Sequence, residues 1–445
     1  MTINRILKKA KEVPGKCRFF CLRAIILAAG LLIISGSIFG GNPATAGDSE
    51  KEREDVQVLL NNLPVEFDQP PLIVDGRTLV PFRAVAEALG VQVAWNEDAR
   101  EIQAESPDVS LLLQVDSKTA TVDEQQVELD VAPAIFNGRT LVPLRFFTEA
   151  FGVHVDWCGE ERRVRLESPP VSMWVTGFYA LGSRQASSWE DLFDLPYPET
   201  TLGQTELVDE LALGWYSLNQ EGELLTSSRT GWERPSGWER LLEAAEQYGL
   251  RTEMVIHVTD GDGTVTELMD DPGSINKLAG AVAEEAERYY EGVNLNIEGL
   301  GWSEQEEELE KVREQFTALV QQIADKLEPL DLTLTLTIHA PNSAYQGYDY
   351  RDLGEIADRI IVMAHDYGPS PEPKDKVLEA VEQASYEVDP GKLILAVSAP
   401  SETPESLQVK LEIARRHQLK GVSLWRLGLM GPSRWEALSE RVLRH

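Results

Sequence analysis

An alternation of polar and apolar residues ends in a carboxylic acid at Glu298. Along the segment 292–298, Asn294, Asn296 and Glu298 alternate with valine, leucine and isoleucine. Successive side chains of a strand point to opposite faces, so the three polar residues share one face. Unpaired polar groups are costly to bury, and three of them at the end of an apolar strand indicate a functional site. A carboxylic acid there could protonate a leaving group.

Two other apolar runs end in residues that could bind or polarise a substrate. One continues into His365, Asp366 and Tyr367, and the other ends at Trp425. Histidine and aspartate supply hydrogen-bond donors and acceptors. An indole face packs well against the apolar face of a sugar ring. These two chain segments are therefore candidates for the same site as Glu298.

Apolar runs alternate with amphipathic helices after the boundary at residues 168–170. The predicted strands are Met173–Tyr179, Glu206–Trp215, Thr252–His257, Gly292–Glu298, Thr333–Ile338, Ile360–Ala364, Leu393–Val397 and Gly421–Trp425. The predicted helices include Gly237–Tyr248, Ser274–Tyr289, Ser303–Lys326, Lys374–Ala384 and Pro404–His417. Eight such alternations predict an α/β fold, a (β/α)8 TIM barrel over residues 171–445. An open doubly wound sheet is the alternative, but no glycine-rich phosphate loop follows any strand.

An internal repeat precedes the barrel. Pro71–Arg83 and Pro133–Arg145 both contain Gly-Arg-Thr-Leu-Val-Pro, at an offset of 62 residues. Each copy predicts a strand, an Asp-Gly or Asn-Gly turn, a second strand, a helix and a third strand. The repeat predicts a small α+β domain over residues 55–168.

Proline and glycine refine the prediction within each copy. Pro81 and Pro143 suit the first turn of the helix, and Gly90 and Gly152 suit its C-terminal end. The alternation in Leu111–Val131 predicts two further strands around a turn at Asp123-Glu124.

Residues 1–46 have the pattern of a signal peptide. Seven basic residues lie in the first 23 positions, positions 24–40 are uncharged and mostly apolar, and Ala44-Thr45-Ala46 offers a cleavage site. We predict export, cleavage after Ala46, a secreted or cell-envelope location, and no membrane association after cleavage. An uncleaved membrane anchor is the alternative, because the apolar run is nearly long enough to span a bilayer.

Charge and cysteine content exclude several classes of partner. The chain carries 74 acidic against 41 basic residues, a net charge of −33, which disfavours nucleic acid and anionic lipid. Cleavage would leave Cys158 as the sole cysteine, which excludes an intrachain disulfide. We predict no cofactor and no metal, since histidines, cysteines and carboxylates show no metal-ligand spacing.

The doubled motif resembles the stalk domain also called the copper amine oxidase N-terminal-like domain. The name does not imply copper here, because the region contains one histidine, His154. The resemblance implies a non-catalytic module, either for attachment to the cell envelope or as a spacer that presents the barrel.

The three strand ends of the barrel resemble family 18 glycoside hydrolases. The similarity covers about residues 172–445 and is greatest to the bacterial cell-wall and spore-associated branch. It implies that Glu298 is the general acid, whereas a barrel-rim ion pair is the alternative role. Family members use no protein nucleophile, because the 2-acetamido carbonyl of the substrate attacks the anomeric carbon.

Asn296 departs from the family pattern, which has a carboxylate two residues before the acid. An amide can accept a hydrogen bond from the acetamido group but brings no full negative charge. A charge pair at 4 Å is worth about 4 kcal/mol at an effective dielectric near 20, so losing half slows the chemistry roughly 10- to 100-fold.

The resemblance also implies residues that bind the sugar. Asp366 helps to position it, His365 replaces a tyrosine that contacts the acetamido carbonyl, and Trp425 forms the floor of the subsite. Further predicted substrate contacts are Asn294, Tyr367 and Tyr179. The alternative for His365 and Asp366 is a pair that braces the mouth of the barrel.

The predicted function is an exported glycosidase that cleaves polymers containing β-linked N-acetylglucosamine, either peptidoglycan or a chitin-like glycan. The predicted partners are therefore a glycan polymer and the cell envelope. The alternative is a non-catalytic carbohydrate-binding protein of the envelope on the same scaffold. Retention of Glu298 favours the enzyme, since a protein that only binds does not need a proton donor.

Overall fold

A computed structural model describes residues 56–179, 187–227, 231, 233–302 and 306–445. The predicted signal peptide, and the predicted start of one helix at Ser303, lie outside these residues. Within the described ranges, no helix combines the length and apolar character needed to cross a bilayer.

Eight parallel strands close into a barrel. They are Trp174–Tyr179, Glu210–Leu218, Arg251–Thr259, Gly292–Glu298, Thr333–His339, Arg359–Met363, Leu393–Ser398 and Gly421–Trp425. The first strand pairs in parallel with both the second and the eighth, which closes the sheet. A short strand, Leu224–Leu225, pairs antiparallel with the second. The predicted TIM barrel is confirmed, although the second strand begins at Glu210, after a 3-10 turn at Thr205–Leu207.

Helices cover the outer face of the barrel. They are Ser188–Phe193, Glu239–Gln247, Thr264–Met269, Pro272–Tyr289, Glu306–Leu327, Tyr350–Ile356, Lys374–Glu387, Pro404–Arg416 and Gly431–Ser439. Capping side chains mark the start of several helices. The Asp271 side chain, for example, accepts hydrogen bonds from the backbone nitrogens of Gly273 and Ser274 at the start of an 18-residue helix. Four short helices have no predicted counterpart, because six to nine residues carry too little periodicity to reveal them.

The main apolar core lies between the strands and these helices. Val293, Leu295 and Ile297 are buried there, as strand alternation requires. Their polar neighbours consequently point into the barrel, where a second, smaller apolar cluster includes Phe178 and Ile361.

The floor of the barrel interior is polar. Arg359 donates two hydrogen bonds of 3.0 Å to Glu210 and one of 2.6 Å to Glu253. Thr335 also donates to Glu253, at 2.5 Å. All four side chains are buried, so both acidic side chains have hydrogen-bond partners where water is excluded.

The N-terminal region is rich in strands, with two short helices, Phe82–Leu89 and Leu144–Ala150. Its strands are Gln57–Leu60, Leu63–Pro64, Leu72–Val74, Arg77–Pro81, Gln92–Asn96, Glu101–Glu105, Ser110–Gln114, Thr119–Val122, Gln125–Glu128, Ala134–Phe136, Arg139–Pro143, His154–Cys158 and Arg163–Glu167. The two repeats form two hairpins that pair through Val80 and Val142 in one four-stranded sheet. The central residues of both hairpin turns have positive φ, as a two-residue turn requires.

One detail of the predicted repeat is corrected. Pro81 and Pro143 end strands, and each helix begins at the next residue. In the region 111–131, the two strands predicted around a turn at Asp123-Glu124 are Thr119–Val122 and Gln125–Glu128, and most of a further strand, Ser110–Gln114, precedes them.

The described residues form two compact units. One comprises residues 56–58, 66–82 and 94–165, and the other comprises 59–65, 83–93 and 166–445. Three segments of the predicted 55–168 domain, 59–65, 83–93 and 166–168, therefore group with the barrel unit.

Candidate active site

The fourth strand carries its polar residues at three depths. Asn294 and Asn296 are buried inside the barrel, and Glu298 reaches the mouth with 26% of its side chain exposed. Because Glu298 is the last residue of this strand, it lies at the C-terminal end of the barrel, where TIM-barrel active sites form.

Two groups contact the carboxylate of Glu298 at the same oxygen. His257 Nε2 lies 3.5 Å from Glu298 Oε1. With the Asn296 amide oriented to satisfy both of its ends, Nδ2 donates to Glu298 Oε1 at 3.1 Å and to the Thr337 carbonyl at 3.3 Å. The strand register explains the first contact, since His257 on the third strand pairs directly with Asn296.

Three histidines set the electrostatics of Glu298. Burial raises the pKa of Glu298, but the hydrogen bond and charge of His257 and the charges of His339 and His365 outweigh burial and hold it below its ordinary value. Burial also lowers the pKa of His339, against the opposing effect of Glu298. These neighbours therefore favour the ionised carboxylate of Glu298.

Asn294 does not reach the substrate side. Its amide nitrogen donates to Glu253 at 3.2 Å, and its oxygen accepts from Thr337 at 2.8 Å. Both ends are engaged in the polar interior, so the predicted substrate contact is corrected to a bracing role.

The segment after the sixth strand is held by a buried carboxylate. The backbone nitrogens of Asp366 and Tyr367 donate to Glu372 at 3.1 and 3.2 Å. His365 Nδ1 lies 3.0 Å from Asp366 Oδ2, and this hydrogen bond lowers the pKa of Asp366. The Asp366 side chain is 83% exposed, whereas Tyr367 donates to Asn342 at 2.8 Å.

Trp425 ends the eighth strand on the interior face. It packs edge-to-face against Phe178, with ring centroids 5.2 Å apart. The peptide bond between Trp425 and Arg426 is cis. Phe178 and Trp425 therefore form an aromatic wall of the barrel interior.

Tyr179 is a further correction, because it follows Phe178 and faces the opposite side of the first strand. Its ring packs edge-to-face against Trp215, at 6.4 Å, in the core beneath the helices. Neither Tyr179 nor Trp215 lines the interior, so neither is placed to bind a glycan there.

His257 and His339 are the functional candidates that sequence reasoning missed. Both face inward near the C-terminal ends of the third and fifth strands. A comparison of all the predicted strand ends could have found them, because active residues of such barrels collect there. His339 stacks on Tyr345 at 4.2 Å, and Tyr345 neighbours Trp302, which is 63% exposed.

A cavity of about 420 Å³ opens beside the fifth strand, and His339, Tyr345, Gln346 and Arg351 are among its lining residues. It shares His339 with the site but is not lined by Glu298 or Trp425. The catalytic candidates are therefore grouped at the barrel mouth rather than in this cavity. Within the described residues, no three histidine, cysteine, aspartate or glutamate side chains are arranged to hold a metal ion.

Comparisons with known proteins assign the folds of both regions. Residues 59–166 match the family model described as the copper amine oxidase N-terminal domain. A Brevibacillus choshinensis protein named protease inhibitor is 26% identical over 155 residues, 34% of this chain and 46% of that protein. The chain therefore matches about half the length of this curated relative.

The barrel has the fold of chitinases and spore cortex-lytic enzymes. SleL of Bacillus cereus matches with a TM-score of 0.51 and 15% identity, covering 63% of this chain and 76% of that one. SleL of Bacillus megaterium gives 0.50 and 14%, covering 71% and 80%. A class V chitinase of Pseudomonas fluorescens gives 0.51 and 16%, covering 60% and 99%. The resemblance predicted from the strand ends is confirmed at the level of the fold.

Proposed function

We propose that this protein is a glycoside hydrolase acting on polymers that contain β-linked N-acetylglucosamine, either peptidoglycan or a chitin-like glycan. The observation that carries the proposal is the partly exposed carboxylate of Glu298 at the mouth of a closed barrel, with a tryptophan at the end of the eighth strand. The fold shared with chitinases and cortex-lytic enzymes supports the same reaction class.

In the proposed mechanism, Glu298 protonates the oxygen of the leaving sugar. The acetamido carbonyl of the substrate attacks the anomeric carbon as that bond breaks, giving an oxazolinium intermediate. Glu298 then accepts a proton from the water that opens the intermediate, so the carboxyl group returns to its starting state. Because the known contacts both fall on Oε1, Oε2 is the oxygen proposed to face the substrate.

The neighbouring residues would hold the sugar for this attack. We propose that His365 donates to the acetamido carbonyl, that Asp366 positions the ring, and that Trp425 packs against its apolar face. Tyr367 retains a proposed place at the edge of this subsite through its hydrogen bond to Asn342.

Asn296 favours a second candidate function, a carbohydrate-binding envelope protein with little turnover. Its amide donates to Glu298, so it offers the acetamido group no negative charge. A low pKa of Glu298 also reduces the fraction of protonated acid at neutral pH.

The location and the role of the N-terminal domain belong to the same proposal. We propose export through residues 1–46, followed by action on the cell envelope, with residues 55–168 as the attachment or spacer module of the barrel at 171–445.

Glu298→Gln tests the proposed acid. We expect release of reducing sugar from purified peptidoglycan or chitin oligomers to fall about 10²- to 10⁴-fold, because the amide cannot donate the required proton. Retention of the variant on insoluble wall material should match the parent. Product masses would identify the glycan and the bond cleaved.

Glu291→Gln is the matched control. Glu291 lies just before the same strand, at the end far from Glu298, and its carboxylate accepts hydrogen bonds from the backbone nitrogen and the hydroxyl group of Thr252. It should hydrolyse at the parental rate. Equal rates for Glu298→Gln and the parent would refute the assigned acid. Wall retention without product from the parent would establish the binding protein instead.

A further inference from the structure

His257 occupies an unusual position for a strand residue buried inside a barrel. It faces inward one polar layer below Glu298, with 8% of its side chain exposed, and its Nε2 atom points to Glu298 Oε1 at 3.5 Å. The other group on that oxygen, the Asn296 amide, can donate a hydrogen bond but cannot gain or lose a proton at ordinary pH.

We infer that His257 is a positioning residue, whose Nε2 atom holds Glu298 Oε1 and thereby controls when the proposed acid carries its proton. The inference rests on the proposed function, because that proton is the one that Glu298 would deliver.

The distance is compatible with this contact. Hydrogen bonds between catalytic partners are often long in a free enzyme and tighten when substrate binds. Neighbouring strands three and four hold the two residues in register, with His257 beside Asn296 and Thr259 beside Glu298. A small rotation of either side chain would shorten the contact without movement of the backbone.

Several other charged or titratable groups face this pair. They are His339 from the fifth strand, His365 and Asp366 after the sixth, Tyr348 and Asp260. His339 and His365 lower the pKa of Glu298 through charge, and His257 adds a hydrogen bond to the same effect. Burial opposes this lowering, so the pKa of Glu298 depends on which of these neighbours are present.

His257 therefore acts on Glu298 in the direction opposite to a carboxylate at position 296. Like-charge repulsion from such a carboxylate would raise the pKa of Glu298, whereas the hydrogen bond and charge of His257 lower it.

His257→Gln tests the inference, because glutamine can still donate a hydrogen bond to Glu298 but carries no positive charge. The readout is the ¹³C chemical shift of the Glu298 carboxyl group in full-length protein labelled at glutamate, with Glu298→Gln identifying the signal. We expect the titration midpoint of Glu298 to rise by about one pH unit in His257→Gln. His339→Gln is the matched control, which removes a more distant charge and should shift the midpoint less.

Kinetics supply the second readout. We expect the alkaline limb of the kcat/KM profile to move in the same direction as the midpoint in His257→Gln. A merely structural role would lower kcat/KM equally at every pH and leave the carboxyl titration unchanged, and this result would overturn the inference. A higher midpoint in His257→Gln, together with no hydrolytic activity in the parent, would support the positioning role while contradicting the proposed function.

Discussion

The barrel interior contains two polar clusters in which acidic side chains have different partners. At the floor, Arg359 binds Glu210 and Glu253, and all three are buried. At the mouth, Glu298 contacts the imidazole of His257 and the amide of Asn296, and part of it is exposed.

The difference lies in whether the counter-charge can be removed. A guanidinium stays protonated at any pH a folded protein meets, so the charge of Arg359 at the floor does not vary. An imidazole, unlike a guanidinium, can exist in a neutral form in a folded protein, so the partners of Glu298 are of a kind that can exchange protons. The floor is suited to holding the barrel together, whereas the mouth is suited to moving a proton.

The largest expected effect comes from breaking the floor. Arg359→Met would leave two buried carboxylates without their partner, so we expect the free energy of unfolding to fall by about 3–5 kcal/mol. Urea denaturation at pH 7 measures this. Arg351→Met, which breaks an exposed ion pair with Glu387, is the control and should cause a far smaller change. Equal effects of the two substitutions would contradict the role assigned to the floor.

A change at the mouth should act on chemistry rather than on stability. Asn296→Asp replaces the amide donor 3.1 Å from Glu298 by a negative charge, which raises the pKa of Glu298 and supplies the missing charge for the acetamido group. We expect turnover to rise about tenfold and the alkaline limb to move to higher pH.

The matched control for this substitution is Asn137→Asp in the second hairpin turn, where the first repeat already has Asp75. It should leave the pH profile unchanged. An unaltered profile in Asn296→Asp would mean that the barrel does not use acetamido chemistry.

The smallest expected effect is on the pH dependence of stability at the floor. Burial, together with the charge of Glu253, raises the pKa of Glu210 to about 8, against the opposing effect of Arg359. Since the folded-state pKa exceeds the ordinary value of 4.5, the stabilisation from this group is complete below about pH 4.5 and is lost as pH rises through about 8.

Glu210→Gln cannot ionise, so its free energy of unfolding should fall less than that of the parent between pH 6 and 9. Urea denaturation at the two pH values measures the slope, and Glu287→Gln on an exposed helix face should behave as the parent. A parental slope in Glu210→Gln would place the titrating group elsewhere.

Much of the fold was predictable because the local pattern of apolar and polar residues follows which side chains are buried in the folded protein. The bounds Gly292–Glu298 and Gly421–Trp425 match the predicted strands, since apolar runs between helices have sharp ends. Short helices such as Tyr350–Ile356 escaped prediction because one or two turns carry little periodic signal.

Sequence alone determined that Asn294, Asn296 and Glu298 share one face, because alternation is a property of the strand itself. Tertiary structure decided which of them meets solvent, placed Tyr179 beneath the helices, and brought His257 to Glu298. Those outcomes depend on strand register and barrel closure, which join residues that are distant along the chain and leave no local trace in it.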